Sequence, residues 1–259
     1  MTWRPRSFAK NLHWQPLFHD YLVLLPGLDG TEVLLEPLVA SLPDSLQPRV
    51  LTYPPSGSNS YADLLALARR ALADLPECYV LGWSFGGPLA LMLAAAEPDK
   101  VRAVILSASF VRAPTPLLRL LGFALLPPLV WSWRAARRLP LWLFRPRSDA
   151  LRRAKSETWQ RVSAGVVAKR LRAVAGVDAR ALLESCRQPV LYIAATADGI
   201  VPRRNAAEIL GLRPLARLAS IEGPHLAMFT NPRAAARAIG EFISHQAVTD
   251  HQEYRAASS

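Results

Sequence analysis

The chain reads as an α/β protein, a mostly parallel twisted sheet flanked by helices, and three observations carry that reading. Short apolar runs alternate with helical spacing through residues 21–106 and again through 190–245. Such alternation needs crossover connections, hence parallel pairing with helices over both faces of the sheet. A Gly-Trp-Ser-Phe-Gly at 82–86 sits where one apolar run gives way to a helix. The rhythm breaks once, between Arg112 and Arg187, in a stretch rich in Trp, Arg and Pro that holds no strand-like run.

Taken in order, Tyr21–Leu25 is a buried strand. Thr31–Leu42 is a helix with Val33, Leu34, Leu38 and Val39 on its apolar side. Arg49–Tyr53 is strand-like and is ended by Pro54-Pro55-Ser56-Gly57. Tyr61–Leu75 repeats Leu64, Leu65, Ala68, Leu72 and Leu75 at helical spacing. Cys78–Leu81 and Val101–Leu106 are strands, separated by a helix that tolerates Pro88 in its first turn. After the break come a strand at Val190–Ala194, a helix at Arg203–Leu210, a weak strand at Leu215–Ile221 and a last helix at Pro232–His245. The domain organisation that follows is a core of 1–111 and 188–246, a helical cap at 112–187 inserted after the sixth strand, and a flexible tail at 247–259.

The serine motif has a physical rationale. A strand that reverses directly into a helix forces its turn residue into a strained conformation and leaves no room for side chains two positions away, so Gly82 and Gly86 flank Ser84. The same turn aims helix N–H groups at the site where an oxyanion would form. A serine needs a base at neutral pH, and the base needs an orienting acid. In open α/β sheets such groups gather at the carboxyl ends of strands. Asp198 lies in the loop after the 190–194 strand and is the sole carboxylate there, whereas Ser107-Ala108-Ser109-Phe110 after the 101–106 strand offers none. Of five histidines, His225 alone follows a strand in the order Ser, acid, His. Ser84, Asp198 and His225 are therefore the candidate catalytic residues. The candidate oxyanion donors are the backbone N–H groups of Phe85 and of Leu28, the latter in the loop Pro26-Gly27-Leu28-Asp29-Gly30.

Composition narrows the function classes. Two cysteines, Cys78 and Cys186, are far apart with no Cys-x-x-Cys, so neither a disulfide framework nor a metal site is expected, and no cofactor is called for. Residues 1–10 lack an apolar signal core, and a cytoplasmic setting is expected. The most apolar stretch, 120–133, contains Pro127-Pro128 and falls short of the roughly 20 residues that cross a bilayer. The segment 112–187 holds 16 Lys and Arg against 4 Asp and Glu, so it carries all of the net charge of +11. Such a field attracts acidic partners: an acyl carrier protein, coenzyme A thioesters or an anionic membrane surface. Arg134, Arg137, Arg138, Arg145, Arg147, Arg152 and Arg153 are the candidate contacts, with a merely solvated Arg-rich face as the plain alternative. No nucleic-acid-binding module is recognisable.

Together these residues resemble the α/β-hydrolase superfamily. The elbow Gly-Trp-Ser-Phe-Gly-Gly, the segment Asp198-Gly-Ile-Val-Pro-Arg203 and an insertion of this length are most similar to the pimeloyl-ACP methyl ester esterases and nearby carboxylesterases. The resemblance implies a serine esterase that forms an acyl-enzyme, with Trp83 and Gly27 at the substrate and a short acyl or carrier-linked methyl ester as the substrate. Two features depart from that pattern. The oxyanion loop begins Pro26-Gly27 where His-Gly is usual, in a Pro-Gly-Leu-Asp-Gly-Thr that also resembles the loop of some ester synthases and acyltransferases acting on lipids, and Gly223-Pro224-His225-Leu226 matches the superfamily generally rather than this family. An acyltransferase with the same three side chains and a peripheral membrane lipase are the alternatives.

Overall fold

The computed structural model describes residues 20–115 and 148–257, with side chains described as far as residue 246. Among the described residues six strands form one parallel sheet in the order β2-β1-β3-β4-β5-β6. They are β1 (Asp20–Leu25), β2 (Leu46–Val50), β3 (Cys78–Trp83), β4 (Val101–Ser107), β5 (Val190–Ala195) and β6 (Arg217–Ile221). The helices, in chain order, are α1 (Glu36–Val39), α2 (Tyr61–Ala71), α3 (Gly86–Ala96), α4 (Asp149–Arg161), α5 (Ala164–Gly176), α6 (Arg180–Glu184), α7 (Arg203–Leu212), α8 (Ala227–Thr230) and α9 (Pro232–Ala257).

The central strands are apolar along their whole length because both faces are covered. Alternate residues divide between two cores. Val23, Leu25, Val80, Val104, Leu106 and Tyr192 pack under α2, α3, α6 and α7. Leu22, Leu24, Tyr79, Leu81, Trp83, Ile105 and Ile193 pack under α1 and α9, with Ile239, Phe242 and Ile243 supplied by the last helix. The strand order reverses direction at β1, whose neighbours are β2 on one side and β3 on the other. Loops leaving β1 and β3 therefore diverge, opening a crevice at their carboxyl ends.

Three details differ from the sequence reading. The expected helix over 31–42 shrinks to α1, because the Asp29 carboxylate captures the Thr31 N–H at 2.9 Å and Pro37 has no N–H to give Val33. The expected strand at 49–53 is shifted to β2, Leu46–Val50, which pairs with β1 from Asp20↔Leu46 to Leu24↔Val50. Among the described residues β2 lies at the sheet edge, a position that tolerates Pro48. The insertion, expected after a sixth strand, follows β4, the fourth strand among the described residues, and residues 1–19 lie outside them. The tail expected to be flexible is helical to Ala257, since the residues after His245 include no Gly or Pro that would stop α9.

Within the insertion, residues 148–176 are two helices, each started by a serine cap. Ser148 accepts from Leu151 N–H and Ser163 from Val166 N–H, both at 3.2 Å. An antiparallel bridge between Arg112 and Asp178, with Ala179 N–H donating to Val111 O at 2.6 Å, ties the start of the segment to its end.

Candidate active site

Ser84 follows β3 and precedes α3 with φ 51°, a left-handed conformation that a non-glycine residue holds only under constraint. The constraint is visible. Its N–H donates to Ser107 O at 2.9 Å, and its carbonyl accepts from Ser109 Oγ at 2.7 Å and from Gly87 N–H at 3.1 Å. A methyl group on Gly82 would strike the Gly86 carbonyl, and one on Gly86 would strike the Leu25 carbonyl. The glycines thus make room for backbone, which is the reason the motif needs them.

Three side chains distant in sequence meet above the strand ends. His225 Nε2 lies 3.0 Å from Ser84 Oγ, and its Nδ1 lies 2.8 Å from Asp198 Oδ2. With Nδ1–H donated to the carboxylate, Nε2 is the lone-pair nitrogen that accepts the serine O–H. The second oxygen of Asp198 is also occupied, by the N–H groups of Ile200 at 2.8 Å and Val201 at 2.9 Å. Burial pushes the Asp198 carboxyl up, but the bonds from His225 and from the two amides outweigh it and hold it below the usual carboxylate range. His225 is 8% exposed. Its loop is tied to that of Asp198 by Ala197 N–H to Gly223 O at 2.8 Å and Gly223 N–H to Thr196 Oγ1 at 3.2 Å.

The proposed oxyanion donors come from two sides. Phe85 is the N-cap of α3, where amides lack intrahelical acceptors. Its ring is stacked on Tyr61 at 4.8 Å, and its carbonyl accepts the Tyr61 hydroxyl at 3.0 Å. Leu28 is a central residue of the turn closed by Gly30 N–H to Gly27 O at 3.0 Å. The turn abuts the serine: a methyl placed on Gly27 would stand 3.9 Å from Ser84 Cβ and 3.7 Å from Trp83 Cε3.

Trp83, expected at the acyl group, is 1% exposed and belongs to the core under α1 and α9. Strand alternation puts it on the face of Tyr79 and Leu81, and its ring lies 6.2 Å from the His225 ring. It backs the imidazole. Of the seven arginines expected at a partner, Arg134, Arg137, Arg138, Arg145 and Arg147 lie outside the described residues. Arg152 and Arg153 are exposed on α4, with Arg152 paired to Asp149 at 2.5 Å.

Sequence reasoning missed Ser109, which braces the serine turn, and Arg170, a fully buried guanidinium bonded to the loop after β1. Arg170 had a readable signal. It shares the apolar stripe Val166, Val167, Val174 of α5, where a cation has no reason to be unless something there binds it.

A serine hydrogen-bonded to a histidine and, through it, to a carboxylate at the carboxyl edge of a parallel sheet defines a serine hydrolase on an α/β-hydrolase fold. The family model described as serine aminopeptidase, S33, matches residues 49–221, a span that includes Ser84 and Asp198. A pimeloyl-[acyl-carrier protein] methyl ester esterase of Aromatoleum aromaticum is 30% identical over 244 residues, covering 86% of this chain and 97% of that one. Its counterpart in Neisseria meningitidis is 29% identical over 195 residues, covering 70% and 76%. A hydrolase of Pseudomonas aeruginosa superposes with a TM-score of 0.73 at 21% identity, over 86% of this chain and 89% of that one. The chain belongs to the α/β-hydrolases, in the family of these methyl ester esterases, and it is a carboxylic ester hydrolase of the serine type.

Proposed function

We propose that the protein cleaves a short acyl ester presented on an acidic carrier, with Ser84 as nucleophile, His225 as general base and Asp198 as the group that orients it. The observation that supports this most is the unbroken run of hydrogen bonds from Ser84 through His225 to Asp198, at 3.0 and 2.8 Å. Ser84 Oγ attacks the ester carbonyl carbon while its proton passes to His225 Nε2. The carbonyl oxygen becomes an oxyanion held by the N–H groups of Leu28 and Phe85. As the tetrahedral centre collapses, the carbon–oxygen bond to the alcohol breaks and His225 returns the proton to the departing oxygen. Water then repeats the sequence on the acyl-enzyme, releasing the acid and restoring Ser84. Asp198 stays ionised throughout and stabilises the imidazolium.

The choice of a carrier-linked substrate rests on two supports: the names of the relatives in Aromatoleum and Neisseria, and the positive charge concentrated in 112–187. In this reading that segment is a cap over the site, and the setting is cytoplasmic. No described helix is long and apolar enough to cross a membrane. Reversing charge at Arg137 and Arg138 together is expected to raise KM for a carrier-linked ester at least tenfold while leaving small p-nitrophenyl esters within twofold. Equal effects on both substrates would overturn the docking role. Product analysis with an added alcohol separates hydrolysis from acyl transfer, with the free acid expected as the main product.

A further inference from the structure

Arg170 lies on α5, in the insertion, yet the hydrogen bonds of its guanidinium go to the core. It is fully buried. Nη1 donates to Leu28 O at 3.0 Å and to Asp29 O at 2.6 Å. Nη2 donates to Pro54 O at 3.1 Å and to Asn59 Oδ1 at 2.9 Å, and Nε donates to the same Asn59 oxygen at 3.0 Å. The guanidinium also sits over the Tyr53 ring at 5.3 Å. Burial pulls its pKa down to about 10, which still leaves it charged at neutral pH. A cation is costly to bury and persists only where its donors are well satisfied.

The loop it grips is the one that carries the Leu28 amide. Each carbonyl from Pro26 to Gly30 is held. Pro26 O accepts the Tyr53 hydroxyl at 3.1 Å, Gly27 O accepts Gly30 N–H at 3.0 Å, and Gly30 O accepts Tyr53 N–H at 2.8 Å. Arg170 holds the remaining two, Leu28 O and Asp29 O, which are the carbonyls of the turn's central residues. The Leu28 N–H shares a planar peptide unit with the Gly27 carbonyl, which is held by Gly30 N–H; that N–H in turn shares a plane with the Asp29 carbonyl that Arg170 holds, so the clamp on Leu28 O and Asp29 O reaches the Leu28 N–H through the turn's own hydrogen bond. Gly30 shows how closely the parts fit. At φ 68°, a methyl group there would come within 2.5 Å of Arg170 Nη1 and 2.7 Å of Tyr53 Cδ2.

We propose that Arg170 is a positioning residue for the oxyanion site: from the insertion it sets the turn that aims the Leu28 amide, so seating of α5 on the core governs the rate of the chemical step. This rests on the reading above in which Leu28 and Phe85 stabilise the oxyanion. Arg170 does not touch substrate, so its loss changes kcat and spares KM. Arg170→Met and Asn59→Gly test it. The second removes the side chain that accepts two of the five bonds, and glycine suits the Asn59 φ of 56°. Rates on a short p-nitrophenyl ester are expressed per active site, titrated with a fluorophosphonate, so that misfolded molecules do not count. Affinity for a trifluoromethyl ketone, which forms a tetrahedral oxyanion adduct with an active serine, is measured alongside.

Loss of one oxyanion donor costs about a hundredfold or more in kcat. Arg170→Met is expected to lose on the order of a hundredfold in kcat with KM within threefold, and to bind the ketone weaker in the same proportion. Asn59→Gly is expected to show the same split at roughly five- to tenfold, between an intact clamp and a lost one. Titrated kcat within threefold of wild type in Arg170→Met, or a loss carried by KM with unchanged ketone affinity, would overturn the proposal. If Arg170→Met does not fold, Asn59→Gly decides on the same criteria, with wild-type kcat and ketone affinity as the overturning result. A wild type that reacts with neither probe overturns the underlying hydrolase reading, and the proposal with it, and so is distinct from a failure at Arg170 alone.

Discussion

Asp198→Asn isolates the geometry of the site from its stability. In the wild type one carboxylate oxygen accepts two amides, Ile200 N–H at 2.8 Å and Val201 N–H at 2.9 Å, and the other faces His225 Nδ1 at 2.8 Å. An asparagine must keep its carbonyl oxygen toward the two amides, because its NH2 would meet two donors there. Its NH2 therefore faces His225 Nδ1, which is left to accept. The imidazole proton moves to Nε2 and points at Ser84 Oγ, 3.0 Å away. In that tautomer the ring cannot take the serine proton. The expected loss is about 10⁴-fold in kcat, equivalent to about 5.5 kcal/mol of transition-state stabilisation. Hydrogen bonds survive in number, so the melting temperature should fall by only a few degrees. The assay is p-nitrophenyl ester turnover at pH 7 to 8 together with a thermal melt. A variant that keeps a tenth of wild-type kcat would refute the tautomer argument, and a melt lowered by tens of degrees would mean that folding had been measured instead.

Gly86→Ala places a methyl group against the Leu25 carbonyl, a backbone atom that cannot give way; a stability loss of about 3 kcal/mol or more is expected by denaturant titration, and a change under 1 kcal/mol would mean that the turn adapts. Asp178 is pulled to about 2 by its hydrogen bonds and charge pairing with Arg180. Its folded pKa lies below the unfolded value of about 3.9, so its small contribution is present above pH 4 and is lost as pH falls through 2. Melting temperatures of wild type and Asp178→Asn should differ at pH 6 and converge by pH 2, whereas a gap that widens on acidification would reverse the sign.

The parts of this protein that could be read from its sequence are those governed by local rules or by strand ends. Buried central strands announce themselves as apolar runs, and β1, β3, β4 and β5 fall within two residues of their expected bounds. Ser84 was legible because the reversal admits only glycine at 82 and 86. Asp198 and His225 were legible because each follows a strand in a fixed order. What escaped was decided by tertiary contacts. The 31–42 helix was cut short by the Asp29 side chain and Pro37. Strand β2 started at Leu46, where pairing to Asp20 rather than local propensity sets the register. Trp83 turned inward because its face of β3 is a core face, which a motif cannot reveal. Arg170 looked like one more cation in a basic segment; only the loop carbonyls around it explain its place.

The central claim is that Ser84 is the nucleophile of an ester hydrolase. It is tested most directly by treating the intact protein with a fluorophosphonate and locating the adduct by peptide mass spectrometry while following residual ester turnover. One adduct per chain, on Ser84, with activity lost in proportion to labelling, is the result expected. Full turnover in a protein labelled at Ser84, or inactivation by a label carried elsewhere, would contradict it.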